Sequence, residues 1–290
     1  YLNKGLNLLK KLVKFSFDNN GFPKSRNIKQ LIFYLKYFIL IREWLKESQS
    51  EIPNYINENI YYLGQAYAFT WQNNKVDILF NGNHESNNSD FDQYLKKLGY
   101  NFKNPTYELG GYAILGNKKT SLIMDIGSTP DRKFSSNYQA GTLSFEILSN
   151  GKKLICNSGY FQNYNKQLNE LSKSTAVHST LILDDRSSCK FNKVNNEGSQ
   201  IYQGLKILKK NIVFEKNYWK INAAHDGYLK KYGIIHEREI EFYPEQMKFV
   251  GNDKLISKKK IKNLKFDIRF HLMPNVKVMK TQDNKSILID

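Results

Sequence analysis

The sequence predicts an α+β chain, with a helical segment over residues 1–65 followed by a large antiparallel β-sandwich over residues 66–290. Three observations predict it. Apolar residues recur every three or four positions up to about residue 65, the spacing of helix faces. From about Ala66 they fall instead into short runs separated by turn residues, the grammar of many short strands. Asn150-Gly151 lies between two such runs and calls for a type I′ hairpin turn.

Taken in order, Leu2, Leu6, Leu9 and Val13 form one helical stripe, which stops at the turn-rich Asp18-Asn-Asn-Gly-Phe-Pro23. A second helix is predicted from about Asn27 to Glu47, with Ile28, Leu31, Ile32, Leu35, Phe38, Ile39 and Trp44/Leu45 on its face and an all-apolar block at Phe38–Ile41. A third begins near Pro53, with Ile56, Ile60 and Leu63 on one side. Strands are expected at Val76–Phe80, Tyr107–Leu115, Ser121–Ile126, Thr142–Leu148 and Lys153–Cys156, with Ser89–Leu98 a helical interruption. Val177 to Asp184 alternates with period two and reads as a strand carrying His178 on the Thr180/Ile182 face. Further strands are expected over about 201–214, 218–224, 234–243, 246–250, 264–272 and 285–289.

The chain is rich in tyrosine (19) and phenylalanine (18), which suit both cores and carbohydrate-stacking clefts. Its net charge of +17 favours a polyanionic partner such as nucleic acid, an anionic membrane surface or an acidic polysaccharide. The competing reading is a general lysine, asparagine and isoleucine bias, since only Lys258-Lys-Lys260 forms a compact basic run. Cys156 and Cys189 are too few for a disulfide framework or a thiolate zinc site. Leu31 to Ile41 is too short to span a membrane. The chain opens at Tyr1 with neither methionine nor signal-peptide pattern, and reads as a fragment or processed product.

Several chemistries are excluded. No Gly-x-Ser-x-Gly elbow is present, no Gly-rich phosphate loop precedes a helix, and no His-x-His or His-Glu-x-x-His spacing occurs. Nucleic-acid binding has net charge behind it and no recognisable module.

What remains is an ordered series. It runs Gly21-Phe-Pro-Lys-Ser-Arg-Asn27, Gln139-Ala-Gly-Thr-Leu-Ser-Phe-Glu146, Leu154-Ile-Cys-Asn-Ser-Gly159 and Thr175-Ala-Val-His-Ser-Thr-Leu-Ile-Leu-Asp-Asp185. Ala224-His-Asp-Gly-Tyr228, His236-Glu-Arg238 and Phe270-His271 follow. This series resembles the heparinase II/III family of polysaccharide lyases, from about residue 18 to the C-terminus.

The resemblance implies the end of an α/α toroid packed on the β-sandwich, with most of the toroid upstream of Tyr1. It implies β-elimination at a uronic acid: one group neutralises the C5 carboxylate, a base removes the C5 proton and an acid protonates the leaving O4. The family's tyrosine, shortly after the Gly-rich turn, is replaced here by Ile28-Lys-Gln-Leu31, leaving Tyr34 as a substitute. Asn137 stands where the family places the sandwich's catalytic histidine. The family's structural zinc positions read as Gln139, Asn157 and His178, and two neutral amides are poor zinc ligands, so no metal or other cofactor is expected.

The resemblance thus implies catalytic roles for His178 and Tyr34, and substrate contacts from Arg26, Asn137, Gln139, Asn157, His225 and Tyr228. The implied partner is an acidic polysaccharide, with no nucleic acid and no membrane span, in the periplasm or cell envelope. The alternative is a non-catalytic saccharide-binding or envelope-assembly protein that retains the lyase fold. Read by themselves, the same residues have structural roles open to them. Arg26 suits a brace as well as a carboxylate clamp. Asp226-Gly227 suits a turn with Tyr228 packing beside it. His236 to Arg238 suits a solvent-facing or inter-sheet polar pair, and His271 a core histidine. His178, with Gln139 and Asn157, suits a remnant of the metal site that stitches the sandwich by hydrogen bonds.

Overall fold

A computed structural model describes the chain except for residues 73–74, 87, 105, 162–164, 194–198, 258–262, 275, 284 and 290. The Lys258–Lys260 run therefore lies outside the described residues.

The N-terminal elements are α1 (Leu2–Ser16), α2 (Ile28–Glu47) and α3 (Asn54–Tyr67), the last continuing as a π-turn over Ala68–Gln72. Asn27 caps α2 by accepting from the Gln30 amide (3.0 Å), which satisfies one of the orphan donors at a helix start. Helix α2 buries Ile28, Leu31, Ile32, Leu35, Phe38, Ile39 and Leu45, the predicted stripe, while Trp44, Phe33 and Tyr37 stay exposed. Trp44 is therefore not a core residue: one step of about 100° separates it from Leu45 and turns it off the stripe. Helix α4 (Ser89–Lys97) packs Phe91 and Leu95 into the same core as α2 and α3.

Among the described residues every strand pairing is antiparallel. A six-stranded sheet has the order β1 (Glu108–Leu109), β2 (Tyr112–Gly116), β3 (Thr120–Asp125), β4 (Phe145–Ser149), β5 (Lys152–Cys156), β14 (His271–Leu272). A four-stranded sheet has the order β12 (Lys248–Ser257), β11 (Ile234–Tyr243), β10 (Trp219–His225), β9 (Ile207–Phe214). Three two-stranded pairs complete it: β13 (Phe266–Ile268) with β6 (Leu181–Leu183), β7 (Lys190–Lys193) with β8 (Ser199–Gln203), and β15 (Val278–Lys280) with β16 (Ile287–Ile289). Asn150 and Gly151, at φ +49° and +76°, form the β4–β5 turn with the two left-handed residues a type I′ turn requires.

The period-two rule explains how the layers stack. On β2 and β3, Tyr112, Ile114 and Ile123 face the helices, while Ala113, Leu115, Leu122 and Met124 face Trp219, Ile221, Ile240 and Phe242 of the second sheet. The six-stranded sheet is thus buried on both faces, so its central strands read as continuous apolar runs. Burying each such side chain contributes roughly 1.5–3 kcal/mol, and the middle sheet receives this from both sides.

One expected strand is absent and another is shortened. Val76–Phe80 has no ladder, although Ile78, Leu79 and Phe80 are buried. Side chains satisfy its backbone instead: Leu79 N–H donates to Glu146 (3.2 Å), and the Asn83 amide donates to the Ile78 carbonyl (2.8 Å). The His178 end of the second is not a strand, because Thr175–Val177 forms a 3₁₀ turn and pairing starts only at Leu181. Its hydroxyls compete with a ladder: Thr175 bonds the Ala140 carbonyl (2.7 Å) and Ser179 the Cys156 carbonyl (2.7 Å). Elsewhere β4 starts at Phe145 instead of Thr142, since Leu143 takes a left-handed φ of +64°, and β12 runs on to Ser257. No helix among the described residues is long and apolar enough to cross a membrane.

Candidate functional site

The turn Gly21–Asn27 delivers Arg26 to the centre of the molecule. Its guanidinium donates to the carbonyls of Gly110 (3.0 Å), Gly111 (2.9 Å), Gly127 (3.2 Å) and Ser128 (3.2 Å) and to the Asp125 carboxylate (2.6 Å). Those five bonds match the five N–H groups of an arginine. Burial pulls its pKa down, but Asp125 outweighs this and raises it, so the group stays charged. Gly111 and Gly127 are required here, because a Cβ at either would lie within 2.8 Å of the guanidinium. Arg26 therefore braces the turn against the middle sheet. Asn81 extends the brace, donating to Asp125 (3.1 Å) and to the Tyr112 hydroxyl (2.7 Å).

Gln139, Asn157 and His178 do converge. The Gln139 amide accepts from Gly82 N–H (3.1 Å) and donates to the carbonyls of Gly159 (2.9 Å) and Ser172 (2.7 Å). His178 Nε2 donates to the same Ser172 carbonyl (3.2 Å), which places its proton on Nε2 and leaves the buried Nδ1 without a hydrogen-bond partner. Burial takes the His178 pKa down to about 3, so it is a neutral ring. Asn157 accepts from Ser179 N–H (3.0 Å), and Glu146 accepts from the Asn157 backbone N–H (3.1 Å) and ion-pairs with buried Lys153 (3.2 Å). All three residues are buried, and their bonds run to backbone groups and, from the Asn157 amide, to Glu146 (3.4 Å). That arrangement does not fit a zinc ion: two neutral amides are already committed, and no group of three His, Cys, Asp or Glu side chains among the described residues could hold a metal.

Other expected site residues lie apart from these. Tyr34 sits in the helical core with its ring edge-on to Phe17 (4.9 Å), in a different layer from His178. His225 accepts from Gly227 N–H at Nδ1 (3.0 Å), and its Nε2 approaches Nδ1 of His236 (3.4 Å), whose Nε2 meets Asp253 (2.6 Å). Tyr228 donates to the Leu181 carbonyl (3.2 Å) and is packed in a small apolar cluster. Arg238 is an inter-sheet tie, donating to the carbonyls of Leu143 (3.0 Å) and Ser179 (2.8 Å) and pairing with Asp253 (2.8 Å). His271, half-buried, bonds the Ala176 carbonyl through Nε2 (3.1 Å).

Asn137 is the expected polar contact that remains partly open. Its side-chain oxygen accepts from the Tyr160 hydroxyl (3.0 Å), and it packs beside Gly82. The turn Asn81-Gly82, with φ +40° and +83°, leads two residues on to His84, whose Nε2 lies 3.2 Å from the Lys29 ammonium in the first turn of α2. The ammonium can only donate, so His84 accepts at Nε2 and carries its proton on Nδ1. Desolvation first and Lys29 second hold the His84 pKa below its ordinary value, and burial pushes Tyr160 up to about 12. His84 and Tyr160 line one cavity of about 420 Å³, with His271 and Cys156 also on its wall. The sequence reading passed over Lys29, His84 and Tyr160. The positive-φ Asn81-Gly82 pair just before His84 was the local signal available.

Residues 103–290 match the family described as heparinase II/III-like, C-terminal. No curated protein sequence matches the chain. In fold it is similar to the heparinase III-BT4657 gene product, with TM-score 0.74 and 15% identity over 97% of this chain and 45% of that one. A second heparinase III crystal structure gives TM-score 0.72 and 17% identity over 98% and 47%. The heparan sulfate lyase HepC from Pedobacter heparinus gives 0.66 and 14% over 88% and 41%. The chain spans less than half the length of each, and at these identities the likeness is one of fold. By its sequence match over residues 103–290, the chain belongs to the heparinase II/III-like family.

Proposed function

We propose that the protein recognises a uronate-containing polysaccharide and cleaves it by β-elimination, with the reaction at the cavity that His84, Gly159 and Tyr160 line, where Lys29 of α2 bonds His84. One observation carries this reading: Lys29, His84, Asn137 and Tyr160, from four separate segments, meet as two hydrogen-bonded pairs (3.2 and 3.0 Å), and one member of each lines the same cavity. A cation, a neutral imidazole and a high-pKa phenol are the groups that removing a proton α to a carboxylate calls for. Arg26, Gln139 and His178 would hold the walls from behind, and Asn157 stands on the wall itself. The proposal includes helices α1–α3 as the closing turns of a toroid, residues 66–290 as the sandwich domain, and a periplasmic or envelope location. The net charge of +17 suits a polyanionic substrate. Incubating full-length protein with a panel of uronate polymers tests it: ultraviolet absorbance from a C4=C5 unsaturated uronate is the expected product signal.

The second reading is a binding protein that keeps the fold without the reaction. It is favoured by how fully Arg26 and Gln139 are engaged internally. Polymer binding with no absorbance change on any substrate would select it.

A further inference from the structure

We propose that His84 is the base that removes the C5 proton, that Lys29 neutralises the substrate carboxylate, and that Tyr160 protonates the leaving oxygen. This division of labour rests on the lyase reading above. It takes over work for which the sequence resemblance nominated Tyr34 and His178, of which Tyr34 packs against the helical core and His178 is buried against the end of α5.

The placement is built, not incidental. Asn27 caps α2, which fixes Lys29 in the first turn. The next contact is between Asn27 and Gly82, where a Cβ would stand 2.2 Å from the Asn27 amide nitrogen, so only glycine lets the two segments meet. Gly82 is held in turn by Gln139 (3.1 Å), and Asn83 by the Ile78 carbonyl (2.8 Å), so the bond that orients His84 is anchored on both sides. Gly159 carries the opposite wall: its Cα faces the backbone of Asn83 and His84, and Tyr160 follows it.

The chemistry balances. Lys29 pairs with the C5 carboxylate and favours the charge that develops on it as C5 loses its proton. The C5–H bond breaks, the proton goes to Nε2 of His84, and the electron pair forms the C4=C5 double bond. The C4–O4 bond breaks, and O4 leaves with its electron pair and takes the Tyr160 hydroxyl proton. Return of the proton from the imidazolium to the phenolate through solvent restores both groups. His84 is suited because desolvation, and Lys29 beside it, hold its pKa below the ordinary value and favour the neutral ring. Once Lys29 has turned to the carboxylate, Nε2 is free to accept.

The test uses full-length protein and a uronate oligomer that it eliminates. His84→Gln is expected to lower kcat about 100-fold or more with little change in KM, the range of general acid–base catalysis. Lys29→Met is expected to lower kcat/KM roughly 100-fold and to move the acid limb of the pH profile upward, because a merely structural lysine would not set the titration of the base. Elimination by the wild type with His84→Gln within threefold of it overturns the assignment and leaves the lyase reading standing. A wild type that binds uronate polymers and eliminates none overturns both.

Discussion

Gln139 and His178 donate to one acceptor, the carbonyl of Ser172, at 2.7 and 3.2 Å. That shared oxygen ties the segment before β4, the end of helix α5 (Lys166–Ser172) and the approach to β6 into one buried network. The two residues are unequal in it. Gln139 also holds Gly82 and Gly159, whereas His178 makes this single bond through one ring nitrogen.

His178→Ala is therefore expected to cost about 1–3 kcal/mol, from lost packing and one hydrogen bond. Gln139→Ala strands Gly82 N–H and the Gly159 carbonyl as well, and should cost more, roughly 3 kcal/mol or above. Urea midpoints of the two variants check the order. Equal midpoints would mean the network does not run through Gln139.

Arg26→Lys should destabilise by about 3–5 kcal/mol, the range for breaking a buried pair. An ammonium cannot span the four carbonyls and Asp125 together. Gly127→Ala should reproduce much of that loss, since its Cβ would lie 2.4 Å from the guanidinium carbon. Thermal unfolding of both variants tests the brace, and a Gly127→Ala melting temperature at the wild-type value would refute it.

Stability should fall as pH drops below about 6.5. Burial lowers the folded-state pKa of His178 to about 3 and also lowers those of His225 and His236. The unfolded chain binds these protons near pH 6.5 and the native state does not, so below that value each such site weakens folding by up to about 1.4 kcal/mol per pH unit. For His178 the window runs from about 6.5 down to about 3. Asp253 adds a second loss at lower pH: burial pushes its pKa up, but His236 and Arg238 outweigh this and hold it at about 2. Urea midpoints at pH 7, 6 and 5 measure the slope, and a flat profile would contradict it.

Purified protein should carry well under one zinc per chain, because Gln139 and Asn157 offer neutral amides already bonded to the backbone and to Glu146. Elemental analysis of the native and the His178→Ala protein decides this. One tightly held zinc, lost in the variant, would overturn it.

The sequence by itself determined the change of architecture along the chain, the stripe of α2 and the Asn150-Gly151 hairpin, because each rests on spacing between near neighbours, and it determined the family through the order of short motifs along the chain. It also brought Gln139, Asn157 and His178 to notice as a group. Local alternation misled at Val76–Phe80 and at His178, where side chains from elsewhere satisfy the backbone and no strand is needed. Only the tertiary structure decided that Arg26 faces Asp125, 99 residues away, and that Lys29 meets His84, 55 residues away. Those pairings depend on how helices and sheet stack and on Gly82, Gly111 and Gly127 letting segments approach within the width of a Cβ. No local pattern encodes such long-range contacts, since the chain between the partners can fold many ways and only burial of the whole core selects one.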